Sequence, residues 1–308
     1  MPSVDVSIVT WNSAAALRQL LESLQAQTLV PASITVVDNA STDDTLSICK
    51  DFPQVTVLPQ PTNRGFAGGH NIGMAHGHAD YVLVVNPDVA LDVHYLEQLV
   101  AFAEATPNVG AFVGIVHRPN GTVDTTGLHV ARSRVVRDRT TVSTQPEKIF
   151  GVSGAVALYR RQALHAVAVA GHFFDEQFFA YKEDVQLAWR LQWAGWEAYC
   201  VPTAHAVHGR AVGAGMPRST RNTERRYLSY RNHLLLYPSV ERLATWLPDV
   251  WCIAPAETLR LFYLLVTDAR VTLRALAAVG KMWHAARTFA TQQRRSSPSA
   301  RIRSAMHT

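Results

Sequence analysis

Residues 81–89 read Tyr81-Val82-Leu83-Val84-Val85-Asn86-Pro87-Asp88-Val89, an unbroken apolar run that stops on a polar turn. A strand that buries one face alternates apolar with polar residues. A continuous run is what a strand covered on both faces requires. Asn-Pro-Asp ends it, because proline fixes its own φ and the flanking residues favour turns. The same pattern recurs upstream. Residues 4–9 (VDVSIV) stop at Thr10-Trp11-Asn12, residues 33–38 (SITVVD) stop at Asp38-Asn39, and 55–58 form a weaker strand. Between them Leu17, Leu20, Leu21 and Leu24 fall at helical spacing, and Ser41-Thr42-Asp43-Asp44 supplies capping residues before Leu46 and Ile48. Such alternation predicts an α/β fold with a Rossmann-like, mostly parallel central sheet flanked by helices. Ligands of these sheets gather at the carboxyl ends of the strands. Here those ends carry Thr10-Trp11-Asn12, Asp38-Asn39 and Asn86-Pro87-Asp88.

The chain's 308 residues, 48% hydrophobic and 17% charged, exclude a disordered protein and suffice for a sizeable core. Three cysteines, Cys49, Cys200 and Cys252, are odd in number and lack CxxC spacing, which argues against a disulfide framework or zinc site and fits a reducing cytoplasm. The opening MPSVDVSIVTWN has no basic leader before an apolar stretch, so no signal peptide is expected. The formal charge of +5 owes much to Arg294, Arg295, Arg301 and Arg303 in a Ser-rich tail. That tail suits an anionic partner or is simply solvated. No repeat, zinc-finger pattern or RNA-binding signature favours nucleic acid.

Residues 116–150 are polar and irregular, with the character of a hairpin or insert. A strand-like GAVALY (154–159) follows, then FFDEQFFAY and a helix from Glu183 to Trp193. Beyond about 240, Leu259, Leu261, Phe262, Leu264, Leu265, Val266, Val271, Leu273 and Leu276 form apolar faces broken by Arg260, Asp268, Arg270 and Arg274. The absence of a charge-free run of about 18 residues argues against a membrane-spanning helix. Amphipathic helices remain, packed on the core or lying on an anionic membrane surface. The expected division is a main α/β unit over 1–235, a helical region over 236–290 and a basic, flexible tail over 291–308.

Four local patterns can carry chemistry, and each has a plain structural alternative. Asn63-Arg64-Gly65-Phe66-Ala67-Gly68-Gly69-His70-Asn71-Ile72-Gly73 is a glycine-rich turn entering a helix. It reads either as a phosphate cradle, with Arg64 as cation, or as an ordinary loop. Its spacing is not that of a dinucleotide fingerprint. Asp88 stands where a carboxylate would bridge Mg²⁺ or Mn²⁺ to phosphates, or where a turn needs an aspartate. Glu183-Asp184 opens a helix, where acids are favoured in any case, and its aromatic surroundings suit a partly desolvated general base. His205 and His208 follow a strand-like AYCVP, and either imidazole could complete a metal site begun at Asp88 or serve the core or surface.

Taken in order, SIVTWNS, VVDNASTDDT, NRGFAGGHNIG, VVNPDV, GVSGAVALYRR, FFDEQFFAYKEDVQLAWRLQWAGW and VPTAHAVHG resemble family 2 glycosyltransferases of the GT-A fold, rhamnosyltransferase-like branch, over about residues 4–235. The resemblance implies an inverting enzyme that takes one sugar from a nucleotide-diphosphate donor, with a divalent cation, in cell-surface polysaccharide synthesis. It places Thr10 and Asn12 beside the nucleotide, Asp38 (followed by Asn39) at its base, and Arg64, Gly65 and Asn71 near ribose or diphosphate. Asn86 replaces the first acid of a DxD-type motif, leaving Asp88 as the principal metal ligand. Asp184 matches the catalytic base and His208 a late metal-reaching histidine. The donor it suggests is dTDP-L-rhamnose, with UDP or GDP sugars as alternatives, the acceptor a glycan or lipid-linked saccharide, and the place of action the cytoplasm, peripheral to the membrane. The rival readings are a sugar nucleotidyltransferase, which would release pyrophosphate, and a non-catalytic nucleotide-sugar-binding subunit of the same fold. A processive synthase is disfavoured because QxxRW is absent.

Overall fold

The structure is a computed structural model, described for residues 2–209, 218–292 and 299–306. The first half alternates as the sequence predicts: β1 (Val4–Thr10), α1 (Ala14–Gln25), β2 (Ser33–Asp38), α2 (Thr45–Cys49), β3 (Val55–Pro59), α3 (Gly65–His76) and β4 (Tyr81–Val85). After the Asn-Pro-Asp turn come β5 (Val89–Leu91), α4 (Tyr95–Ala105) and β6 (Val109–His117). The polar middle folds as short strands, β7 (Val123–Thr125), β8 (Leu128–Val130), β9 (Val136–Asp138) and β10 (Glu147–Ile149). They are followed by β11 (Val156–Arg160), α5 (Arg161–Val167), α6 (Glu183–Ala194) and β12 (Glu197–His208).

The main sheet runs β10-β12-β6-β11-β4-β1-β2-β3. Its β3-β2-β1-β4 portion is parallel, with Thr10 beside Asp38 and Ile8 beside Val85. Strand β11 enters antiparallel between β4 and β6, and β12 runs parallel to β6. These directions bring the carboxyl ends of β1, β2, β4, β6 and β12 and the start of β11 to one rim. All five residues of β4 are fully buried, as a strand covered on both faces must be. Each such side chain contributes about 1.5–3 kcal/mol relative to exposure.

The remaining helices are α7 (Arg218–Val240), α8 (Leu243–Trp246), α9 (Val250–Thr291) and α10 (Ser299–Ala305). Helix α7 runs through the boundary expected at 235, and its Leu235, Leu236 and Val240 pack with Trp189 and Trp193 of α6. The tail expected to be flexible over 291–308 ends in a docked helix. Ile302, Ala305 and Met306 are buried in the same cluster, and Arg303 reaches Asp249 at 3.0 Å. Residues 293–298, with Arg294 and Arg295, lie outside the described residues. Helix α9 breaks at Asp268, whose φ and ψ of −159° and 67° leave the helical region.

The C-terminal region carries one apolar stretch that its charge pattern does not signal. The stretch Leu243–Thr291 is long and apolar enough, by length and composition, to cross a membrane, with only 6% of its most apolar window buried. Counting charge-free runs missed it, because a window of 18 residues with two charges can still be strongly apolar on average.

Candidate active site

The rim is built first from the ends of β1 and β2. Thr10 donates to Asp38 Oδ1 at 2.9 Å, and Ser41 donates to the same carboxylate through its hydroxyl (2.5 Å) and its backbone N–H (2.9 Å). Asn12 and Ala40 both adopt positive φ, and the two loops are stitched by Asn12 N to Ser41 Oγ (2.9 Å) and Thr42 N to Asn12 Oδ1 (2.8 Å). Asn39 reaches across to α3, accepting from Arg64 N at 3.2 Å and donating to Gly65 O at 3.0 Å. These polar residues therefore act on one another. Asp38 and Asn39 are buried, and they fix the shape of a wall.

At the glycine-rich turn, backbone donors and glycines make close contacts with neighbouring protein elements. Three backbone N–H groups at the start of α3 are already engaged: Arg64 with Asn39, Gly65 with Asn63 Oδ1 at 2.8 Å, and Ala67 with Phe179 O at 3.1 Å. Gly65, at φ +71°, sits so close to Phe179 that a Cβ would lie 2.4 Å from its carbonyl oxygen. Gly69 and Gly73 allow α3 to press onto Val9 and Ser7 of β1 in the same way. The glycines thus serve close helix–strand and helix–loop packing. Asn71, expected near ribose or diphosphate, also bonds to protein neighbours. Its buried amide accepts from Phe173 N (3.1 Å) and Phe174 N (2.8 Å) and donates to Phe174 O (2.9 Å), holding the segment that precedes the loop into α6. Arg64 keeps a half-exposed guanidinium, paired with Glu176 at 3.2 Å.

Beside this wall, the Asn86–Val89 turn leads into β5, with Val89 N bonded to Asn86 O at 3.3 Å; no helix starts here. β5 pairs with β12, setting Val89 opposite His208. His208 Nε2 lies 3.3 Å from Asp88 Oδ1 and makes no hydrogen bond, although it is buried. On the other side of the ring, Nδ1 lies 2.9 Å from Asp124 Oδ2, while Asp124 Oδ1 is 3.0 Å from Arg118 Nε. An ionised carboxylate only accepts, so Nδ1 carries the proton toward Asp124. Burial works against the charged imidazole, but Asp88 and Asp124 outweigh it and raise the pKa. His205, the other candidate, stacks with His117 at 5.5 Å and stays outside the site.

Asp184 stands across the rim. Asn86 N bonds to Ala155 O at 2.9 Å, and the adjacent Gly154 N bonds to Asp184 Oδ2 at 3.0 Å. Two hydrogen bonds and one peptide unit thus link the metal-candidate turn to this carboxylate. Its Oδ1 accepts from Val185 N at 2.7 Å, as befits a first helical turn. Desolvation raises its pKa even though the residue is half-buried. The fully buried Glu183 beside it is raised well above the usual carboxylate range by desolvation and by Asp184, and its Oε2 has no hydrogen-bond partner.

Among the described residues, no group of three or more His, Cys, Asp or Glu side chains is arranged to hold a metal alone. Asp88 and His208 make an incomplete pair. The three cysteines are free.

Residues 5–167 match the profile of glycosyl transferase family 2. The chain belongs to that family. This transferase is 30% identical over 242 residues to the N-acetylglucosaminyl-diphospho-decaprenol L-rhamnosyltransferase of Mycobacterium tuberculosis, covering 68% of the present chain and 77% of the relative. It is 24% identical over 209 residues to the O-antigen chain rhamnosyltransferase WbaN of Salmonella anatum, covering 65% and 64% of the two chains. Among solved structures, it resembles the mannosyltransferase PcManGT from Pyrobaculum calidifontis in complex with GDP-Man and Mn²⁺ (TM-score 0.57, 21% identity, 99% and 86% covered). It also resembles S. aureus TarS residues 1–349 in complex with UDP (TM-score 0.55, 15% identity, 99% and 90% covered). The transferase is thus a rhamnosyltransferase-like family 2 glycosyltransferase on a GT-A-like scaffold.

Sequence reasoning missed Asp124, a lone aspartate in a polar stretch with no local signal. It also missed Arg231 and Asn232 of α7, which bond to the loop before Asp184.

Proposed function

We propose that this transferase moves a single sugar, L-rhamnose from dTDP-rhamnose, with inversion, onto a lipid-linked saccharide during cell-surface polysaccharide assembly. The observation that carries this reading is the convergence on one sheet rim of Asp184 and the Asp88–His208 pair. The sugar and acceptor follow the named activities of the two rhamnosyltransferase relatives.

The donor set suits a hard divalent cation, Mg²⁺ or Mn²⁺. The buried Nε2 of His208 lacks a hydrogen-bond partner and faces the Asp88 carboxylate, with Nδ1 held behind it. Two protein ligands are enough where substrate phosphates supply further oxygens. When bound, the ion would neutralise charge gathering on the departing diphosphate.

Asp184 takes the proton of the acceptor hydroxyl as that oxygen bonds to the anomeric carbon. The bond from this carbon to the diphosphate oxygen breaks, and its electron pair leaves with the nucleoside diphosphate. One displacement from the opposite face inverts the configuration, through a transition state with oxocarbenium character. Arg64 faces the diphosphate. Thr10, Asn12, Asp38 and Asn39 shape the wall for base and ribose, and Asn86 places Asp88.

The acceptor's lipid fits the outer face of α9. Trp251, Leu259, Phe262 and Val266 are 66–70% exposed along α9. The acids of this region, Asp249, Glu257 and Asp268, are ion-paired; Arg270, Lys281 and Arg287 are exposed, and Arg274 pairs with Glu224. The chain would lie on the anionic inner face of the membrane. Crossing it would strip the buried face of α9, with Val271 and Ala275, from Tyr227 and Leu228 of α7.

A thermal-shift panel of nucleotide sugars, with and without Mn²⁺, tests the reading. dTDP-rhamnose should raise the melting temperature only with the metal; stabilisation by no nucleotide sugar would overturn it.

A further inference from the structure

The loop that delivers Asp184 is held in a shape its own residues do not favour. Phe179, Tyr181 and Lys182 all have positive φ, at 61°, 71° and 72°, and none is glycine or asparagine. Such conformations persist only where the surroundings over-determine them. Lys182 O accepts from Gln186 N at 2.9 Å, so the first turn of α6, with Asp184 in it, is built directly on this loop.

The restraint comes from α7. Asn232 is fully buried, and its Nδ2 lies 2.8 Å from Phe178 O, 2.8 Å from Ala180 O and 2.6 Å from Tyr181 O. Arg231 donates through Nε to Asn232 Oδ1 at 2.8 Å, which fixes the amide with its nitrogen toward the loop. Its Nη2 reaches Gln177 O at 3.0 Å and Phe178 O at 2.9 Å. Gln177 and Phe178 close a 3₁₀ turn over Glu176–Phe178, and Ala180 and Tyr181 follow it outside any helix or strand, where their carbonyls take donors from α7. On the opposite side the start of α3 holds Phe179 O through Ala67 N. Two elements distant in sequence therefore grip one short loop, and the next residues carry the base.

We infer that Asn232, oriented by Arg231, is a positioning residue for Asp184: it sets where the carboxylate stands relative to the acceptor hydroxyl without touching substrate. The inference rests on the reading of Asp184 as the base. General-base catalysis depends on the base lying within hydrogen-bond reach of the proton it takes, and a displacement of about 1 Å can cost on the order of 10²-fold in rate.

The test compares Asn232→Ala, Asp184→Asn and the double variant, with dTDP-rhamnose affinity measured beside turnover. Asn232→Ala should lower kcat by roughly 10- to 100-fold and leave donor affinity within about twofold. In the Asp184→Asn background it should cause no further loss, because two residues acting through one function are not additive. Unchanged kcat in Asn232→Ala, an undiminished loss in the Asp184→Asn background, or donor affinity falling in step with kcat would each overturn the inference. Arg231→Met is the milder second variant and decides by the same criteria where Asn232→Ala fails to give a cooperative melt. Asp184→Asn with near-normal turnover removes the base reading itself. An inert Asp184→Asn beside a fully active Asn232→Ala removes only the positioning role.

Discussion

Asp124 and His208, 84 residues apart in sequence, meet with Nδ1 of the imidazole 2.9 Å from the Asp124 carboxylate. That contact leaves Nε2 facing the Asp88 carboxylate at 3.3 Å, and it explains why an aspartate in an unremarkable stretch is buried. Carboxylate partners of this kind hold a metal-binding histidine in one tautomer, and their loss typically costs about 10- to 100-fold in metal affinity. Mn²⁺ titration followed by electron paramagnetic resonance, with dTDP present, should show that loss for Asp124→Asn and at least as large a loss for His208→Ala. Equal Mn²⁺ affinity in all three proteins would remove the histidine from the metal site.

Asp184→Asn should reduce transfer by about 10²–10⁴-fold, the usual contribution of a positioned base. Donor binding by calorimetry should be preserved. In the parent enzyme the acid limb of kcat should lie above the ordinary carboxylate range. The base works only when ionised, and burial raises its pKa, so activity disappears as pH falls through that raised value. A limb at the ordinary aspartate pKa would show that Asp184 is solvated during turnover.

Glu183 makes a stability prediction of definite sign. Its folded pKa lies well above its unfolded one, chiefly through desolvation, so the folded chain retains a proton that the unfolded chain releases. Stability from this group is therefore full below the unfolded pKa and is lost as pH rises toward the folded value. Melting curves between pH 5 and 8 should show Glu183→Gln gaining on the parent as pH rises, with each 1 kcal/mol appearing as about 2–4 °C. Parallel curves would mean that Glu183 titrates normally.

The apolar face of α9 should bind vesicles containing phosphatidylglycerol more strongly than purely zwitterionic ones. Changing Trp251, Phe262 and Val266 together to serine should weaken cosedimentation by roughly tenfold or more, since amphipathic-helix binding scales with buried apolar area. Nucleotide-sugar thermal shifts should not change. Equal binding by parent and triple variant would assign the face to another partner.

Much of the scaffold was legible because it is encoded locally. Continuous apolar runs at 4–9, 33–38 and 81–85 announce doubly covered strands, and the turn after β4 is written in Asn86-Pro87-Asp88. Pairing direction is not local: GAVALY reads as a strand, but nothing in it says that β11 enters antiparallel. The glycine-rich turn shows a second limit. A phosphate cradle and a close-packing helix start need the same composition, and they differ only in whether the N–H groups already have partners. Here Asn39 and Phe179, from other elements, supply those partners. Asp124 and Asn232 were invisible for the same reason, because each gains its meaning from a distant strand or loop.

Helix α7 connects both ends of this chemistry. One side grips the loop before Asp184, and another supports α9 with its outward apolar stripe. If α9 rests on the bilayer, the height of Asp184 above the lipid surface becomes a fixed dimension of the protein, a built-in ruler. Acceptors whose free hydroxyl stands at that height would be extended, and a chain already one sugar too tall would pass the base by. Addition of a single residue then needs no separate stop signal.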